Sequence, residues 1–152
     1  MHIFDIFEKA KQTLKWPKLK YPHENQMIEF SLAGPNARMP GTINITDGKQ
    51  YPNKFYGRVI KDNEARKLRF QWNEKQQRTE DLTAIIKAIV ENPVGMCSLI
   101  GQQYAHCCFC GLELTNKNSV LVGYGPICAE KWGLPWDGMA EAKEKKELRE
   151  NL

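Results

Sequence analysis

Three cysteines in the C-terminal third, Cys107, Cys110 and Cys128, constrain this chain more than any other feature. Cys107 and Cys110 form a CxxC followed by Gly111. Two cysteines three apart turn both sulfurs towards one ion, and a glycine after them relieves the tight turn. Cys128 arrives 18 residues after Cys110, preceded by Gly123, Gly125 and Pro126, a glycine-rich approach that predicts a second turn lifting a third thiolate into the same site. Zn²⁺ is the expected ion, held for structure rather than catalysis. Such a site forces residues 93–136 to fold as a small zinc lobe.

The fourth ligand is open. No second CxxC accompanies Cys128, because Gly125 and Lys131 stand three residues to either side. Cys108 is the first choice and His106 the alternative, while Cys97, ten residues before Cys107, reads as a buried apolar cysteine. Four of the five cysteines fall between Cys107 and Cys128, too crowded for independent bridges. The N-terminus lacks the apolar block and small-residue cleavage site of a signal peptide, so metal binding is expected in preference to a disulfide framework.

The rest of the chain reads as an α+β arrangement. Ile3, Phe7, Ala10 and Leu14 recur at spacings of three and four, which predicts an amphipathic helix over 2–14, closed by Pro17. MIEFSL and GTINIT alternate with Ile28, Phe30, Leu32, Ile43 and Ile45 inward; KFYGRVI and KLRFQW continue the pattern. Turn signals at Gly34-Pro35, Pro40-Gly41 and Asp47-Gly48 separate them, so a small antiparallel sheet of about four strands is expected. A central helix follows, capped by Thr79 and ended by Pro93. Residues 94–104 suit a further short helix or turn. Residues 1–92 thus form a helix, sheet and helix unit, and residues 137–152 a charged tail or exposed helix. No run of about 20 apolar residues is present to span a membrane.

The stretch CCFCGLELTNKNSVLVGYGPICAEKWGLPW resembles a short cysteine domain of unknown function common in bacteriophage proteins. The shared pattern is CxxCG, a leucine, a turn rich in Asn or Asp, a serine and GxGPxC. It is carried here by Cys107, Cys110, Gly111, Leu114, Asn116, Ser119, Gly123, Gly125, Pro126 and Cys128. FSLAGPNARMPGTINITDG and FYGRV also resemble the part found beside this domain in small phage proteins. The resemblance implies a viral source, hence the host cytoplasm, and a metal site. It carries no activity with it.

Charge is unevenly spread. Residues 1–79 carry 15 Lys or Arg against 8 Asp or Glu, and residues 80–152 carry 7 against 10. Lys15, Lys18 and Lys20 interleave with Trp16, and Lys67 and Arg69 share one face of a predicted strand near Tyr56. Cations beside aromatics can hold phosphates while bases stack. The same pattern also suits a helix packed on a sheet with its lysines in solvent. No Ser-His-Asp set and no phosphate-binding GxxxxGK loop occurs, and His2, His23 and His106 share no ligand spacing. The expectation is a non-enzymatic module binding single-stranded nucleic acid through Lys15, Trp16, Lys18, Lys20, Tyr56, Lys67 and Arg69. The rival is a phage accessory protein that binds a host or viral protein, for example to blunt a defence system.

Overall fold

Five antiparallel strands form a simple meander with all of the N-terminal and central helices on one of its faces, in a computed structural model that describes residues 2–50, 52–62 and 67–134. The order is α1 (Ile3–Ala10), β1 (Lys18–His23), β2 (Gln26–Leu32), β3 (Ile43–Thr46), β4 (Phe55–Asp62), β5 (Lys67–Trp72), α2 (Glu80–Glu91), α3 (Pro93–Tyr104), α4 (Lys117–Val122) and α5 (Pro126–Trp132). The expected charged tail, Pro135 and Trp136, Tyr51 and Arg66 lie outside the described residues.

Helix α1 is shorter than its periodicity predicts. His2 caps it, its Nδ1 accepting from the Phe4 amide at 3.2 Å while Asp5 accepts from the His2 amide at 2.8 Å. After Ala10 the chain tightens into turns, and Thr13 then donates to the Lys131 carbonyl at 2.8 Å, tying the end of α1 to α5. Helix α2 starts where its sequence says, the Thr79 hydroxyl accepting from the Leu82 amide at 3.1 Å. Asn92 separates it from α3, which Pro93 opens. A proline at the first helical position loses no intrahelical bond.

The sheet has one strand more than expected. Residues 18–23 form β1, paired in register with β2 through a tight turn at Glu24 and Asn25. Pro17 and Pro22 obscure its alternation in the sequence. Pro22 is tolerated because β1 is an edge strand. The outer edge of β1 is partly covered, since the Lys20 amide donates to the Cys108 carbonyl.

Pairing across the sheet puts Leu19, Tyr21, Ile28, Phe30, Ile43, Ile45 and Val59 on the helix-covered face, all fully buried. A bulge interrupts β3 and β4: Ile45 pairs with Gly57 but Thr46 with Phe55, leaving Tyr56 as the extra residue. Tyr56 is consequently buried, its hydroxyl donating to Gln26 Oε1 at 3.0 Å. Gly57 sits at φ 154°, and a Cβ there would overlap the Gln71 carbonyl. No single described helix is long and apolar enough to cross a membrane.

Candidate metal centre and open sheet face

The cysteine segment is built as a knuckle followed by two short helices. In the knuckle the Cys107 amide donates to the Leu112 carbonyl at 2.9 Å and the Gly111 amide to the Cys107 carbonyl at 2.8 Å. Gly111 adopts φ 76°, which a glycine reaches without steric cost. The chain then runs through α4, ends it at Gly123 in the left-handed region, and turns at once into α5, where Gly125 and Pro126 set the start and Cys128 falls in the first turn. Gly123 has a second reason to lack a side chain: a Cβ would collide with the Cys97 carbonyl of α3.

These turns bring Cys107, Cys110 and Cys128 together, with their sulfurs all within 4.8 Å of one another. Thiolates sharing a tetrahedral zinc at about 2.3 Å would stand roughly 3.8 Å apart, so the triangle fits a bound ion. Cys107 is buried, Cys128 half-buried and Cys110 exposed. The Cys107 thiol is lowered to about 5, first because Cys128 hydrogen-bonds to its sulfur. Burial opposes this, and backbone N–H groups of Gly125, Phe109 and Cys110 add to it. Cys128 is raised in turn, by holding that shared proton and by burial. The chemistry is that of a soft, anionic donor set able to coordinate a metal ion.

Neither expected fourth ligand joins the triangle. Cys108 is the first correction: its sulfur is bonded to that of Cys97 and lies 3.5 Å from the Gly123 carbonyl, away from the three thiolates. Successive residues in so tight a turn point in opposite directions, so Cys107 and Cys108 cannot both face one ion. The Cα atoms of Cys97 and Cys108 stand 6.3 Å apart, within the ordinary disulfide range. His106 is exposed, with Nδ1 at 2.6 Å from the Tyr104 carbonyl, and is outside the group as well. Replacing Cys97 and Cys108 together by serine should therefore leave the metal content of folded protein unchanged, while Cys110→Ser should abolish it. Elemental analysis decides, and loss of metal from the folded double variant would return Cys108 to the ligand set.

The knuckle is not a free appendage. Phe109, inside the CxxC, packs on Trp132 with ring centroids 4.5 Å apart and on Tyr124 at 5.7 Å. Trp132 in turn meets Phe7 of α1 edge-on at 5.1 Å. The Tyr21 hydroxyl, from the sheet, donates to the Pro93 carbonyl at 2.8 Å and lies 3.1 Å from Cys97 Sγ. Burial holds the Tyr21 phenol well above its usual range, so it stays a neutral donor.

The opposite sheet face is free of the helices named above and is polar. Register puts Lys18, Ser31, Asn44, Arg58 and Gln71 in one row, and Lys20, Glu29, Thr46 and Phe55 in the next. Lys67 and Arg69 of β5 are exposed on this face too. Thus Lys67 and Arg69 share a face, as alternation predicts, and β1 adds Lys18 and Lys20 to it, the four spread over about 19 Å from β1 to β5 at the usual strand spacing. Arg58, its guanidinium 5.2 Å from the Phe55 ring centroid, stands between them. Tyr56 does not belong to this face, because the bulge turns it into the core. Trp16 is 66% exposed, with Lys15 5.9 Å from its ring.

A cleft that no sequence pattern marks lies in the middle of this face. Ala33, Ala37, Arg38 and Met39 on one loop, and Lys49 and Asn53 on another, line with residues of β2, β3 and β4 this cleft of about 540 Å³. Its far wall, at Ala33 and Ala37, also borders an apolar trough beneath Trp16 and Pro17. Trp16 thus stands across that one loop from the sheet face. Tyr56-Gly57 in β4 is a signal for the bulge that buries Tyr56, since a glycine within a strand pattern marks one, but not for the cleft.

The fold and the thiolate triangle define an α+β protein with a cysteine-rich, metal-binding lobe. Residues 100–133 match the model of a family of unknown function, DUF6011. No curated protein and no solved structure matches the chain.

Proposed function

We propose that this protein is a non-enzymatic module that binds single-stranded nucleic acid across its open sheet face, with the three thiolates holding a structural Zn²⁺. The observation that carries this reading is the register, which aligns Lys18, Lys20, Arg58, Lys67 and Arg69 on the face that none of the described helices covers. A strand lying across the sheet meets phosphate-binding cations from edge to edge, with Phe55 and Trp16 as stacking platforms in place of the buried Tyr56. Zinc supports this indirectly, by fixing the lobe that packs against α1 and covers the edge of β1. In the phage setting that the sequence resemblance implies, the ligand is a transient single strand in the host cytoplasm.

Titration of labelled single-stranded DNA and RNA at low and physiological salt tests the proposal. Each phosphate-contacting Lys or Arg replaced by Ala should lower the salt slope by about 0.7 and weaken all sequences alike. Trp16→Ala should cost about 1–3 kcal/mol with little change in that slope. Absence of binding at micromolar protein in low salt would end this reading.

A second reading, a phage accessory protein that engages a host or viral protein, draws on the apolar residues exposed in the other half. Leu99, Leu112 and Ile127 are 60%, 70% and 68% exposed. Capture from host lysate with and without nuclease separates the two, because only a nucleic-acid ligand is lost on digestion.

A further inference from the structure

Glu29 is out of keeping with the face that holds it. It lies on β2 at the floor of the cleft, only 9% exposed, and the Asp47–Gly48 turn packs over it. Among the described residues its carboxylate accepts no hydrogen bond and makes no ion pair, although Arg38, Lys49 and Arg58 line the same cleft. An anionic group sunk in the middle of a cationic surface repels the phosphates that the surface attracts. Most of the residue is covered, but no buried side-chain oxygen among the described residues lacks a partner, so the unpartnered Glu29 oxygens stay open to the cleft. An unpartnered carboxylate open to a cationic cleft makes sense if it faces a ligand group that is rich in N–H donors and is not itself anionic.

On a bound single strand that group is a base, and the donor geometry selects among the bases. Guanine presents N1–H and its 2-amino group side by side, matching the two oxygens of one carboxylate. Adenine and cytosine offer one exocyclic amine flanked by an acceptor, and thymine and uracil one N–H between two carbonyls, so each of these sets an acceptor against the second oxygen. The neighbouring residues suit a planar base as well. The Phe55 ring with the Arg58 guanidinium over it gives a cationic aromatic wall for stacking. Asn44, paired with Arg58 across the strands, offers an amide N–H within the same cleft for the guanine O6. Arg38 and Lys49 stand on the flanking segments where the adjoining phosphates would pass.

We propose that this cleft reads one guanine of the bound strand, through its donor edge, by Glu29. The inference rests on the nucleic-acid reading above and adds to it a sequence preference and the residue responsible. The experiment uses labelled ten-nucleotide thymine strands carrying one central guanine, adenine, cytosine or inosine, with the all-thymine strand as reference. The guanine strand should bind about tenfold or more tighter than the adenine or cytosine strand. Inosine, which lacks only the 2-amino group, should lose most of that gain, whereas 7-deazaguanine, whose donor edge is intact, should keep it. Glu29→Gln should erase the preference and leave the all-thymine affinity in place or raise it, since a negative charge leaves a cationic face. The inosine comparison needs no variant and holds whether or not Glu29→Gln folds. Equal affinity for the guanine and inosine strands, or a preference that survives Glu29→Gln, overturns the inference. Failure of every strand, the all-thymine one included, overturns the nucleic-acid reading beneath it.

Discussion

Chelation of the metal at neutral pH is expected to unfold the whole described chain, not only the cysteine lobe. Structural zinc contributes about 10–16 kcal/mol of apparent binding free energy in small peptides, against a total stability of roughly 5–15 kcal/mol for an ordinary domain. The two helices of the lobe have only six and seven residues. An isolated helix of that length is unstable in water. The loss propagates because Tyr124, Ala129 and Trp132 lie in the same buried cluster as the sheet and α1. Acid should act in the same direction. A thiol near 8.5 in the unfolded chain and near 5 in the fold, as for Cys107, stabilises the folded state fully only above the unfolded value. That contribution declines as the pH falls between the two and is gone below about 5. Metal release adds to it, since bound thiolates must take up protons. Elemental analysis should find one zinc per chain, and circular dichroism should show sheet and helix signals lost together on chelation. A chain proved metal-free that keeps its native spectrum and melting temperature would show that the triangle is not a structural site.

Much of this architecture is legible where one periodicity runs without interruption. Strands β2 and β3 and helix α2 obey a single period from end to end, so Ile28, Phe30, Ile43, Ile45, Ile86 and Ile89 fall inward as their spacing predicts. The three clustered cysteines are legible for a different reason: a CxxCG and a glycine-flanked cysteine have few other uses in a small chain. What escapes is whatever a single residue decides. One bulge residue carries Tyr56 to the opposite face from the one that alternation assigns, and with it a candidate stacking residue. Cys108 differs from Cys107 only by the direction in which a turn points it, which spacing does not encode. The site residues of the open face were legible as cations, but their cleft depends on how two loops stand above three strands. Glu29 then reads as one more polar residue of an alternating strand, and nothing in the sequence places its carboxylate in that cleft.

Trp132→Ala should be the most destabilising substitution outside the metal ligands. The indole is 1% exposed and stands between Phe7 of α1 and Phe109 of the knuckle. Truncating a buried tryptophan typically costs about 3–5 kcal/mol through lost transfer free energy and the cavity left behind. Two aromatic contacts are lost with it, each worth roughly 0.5–1.5 kcal/mol beyond area burial. The surroundings cannot collapse readily, since α5 is fixed at one end by Cys128 in the thiolate triangle and at the other by Thr13 on the Lys131 carbonyl. None of the thiolates is touched, so folded variant should still carry one metal, but it should yield that metal to chelator faster because local opening of α5 becomes easier. Trp16→Ala is the matched comparison: the same residue type, 66% exposed, expected to change stability by no more than about 0.5 kcal/mol while weakening any single-strand binding. Denaturant unfolding of the two variants beside the parent separates the cases. An unfolding free energy for Trp132→Ala within about 1 kcal/mol of the parent would mean that the knuckle and α1 are not energetically joined through this ring. The metal lobe would then stabilise itself alone, and the chelation experiment should leave the sheet intact.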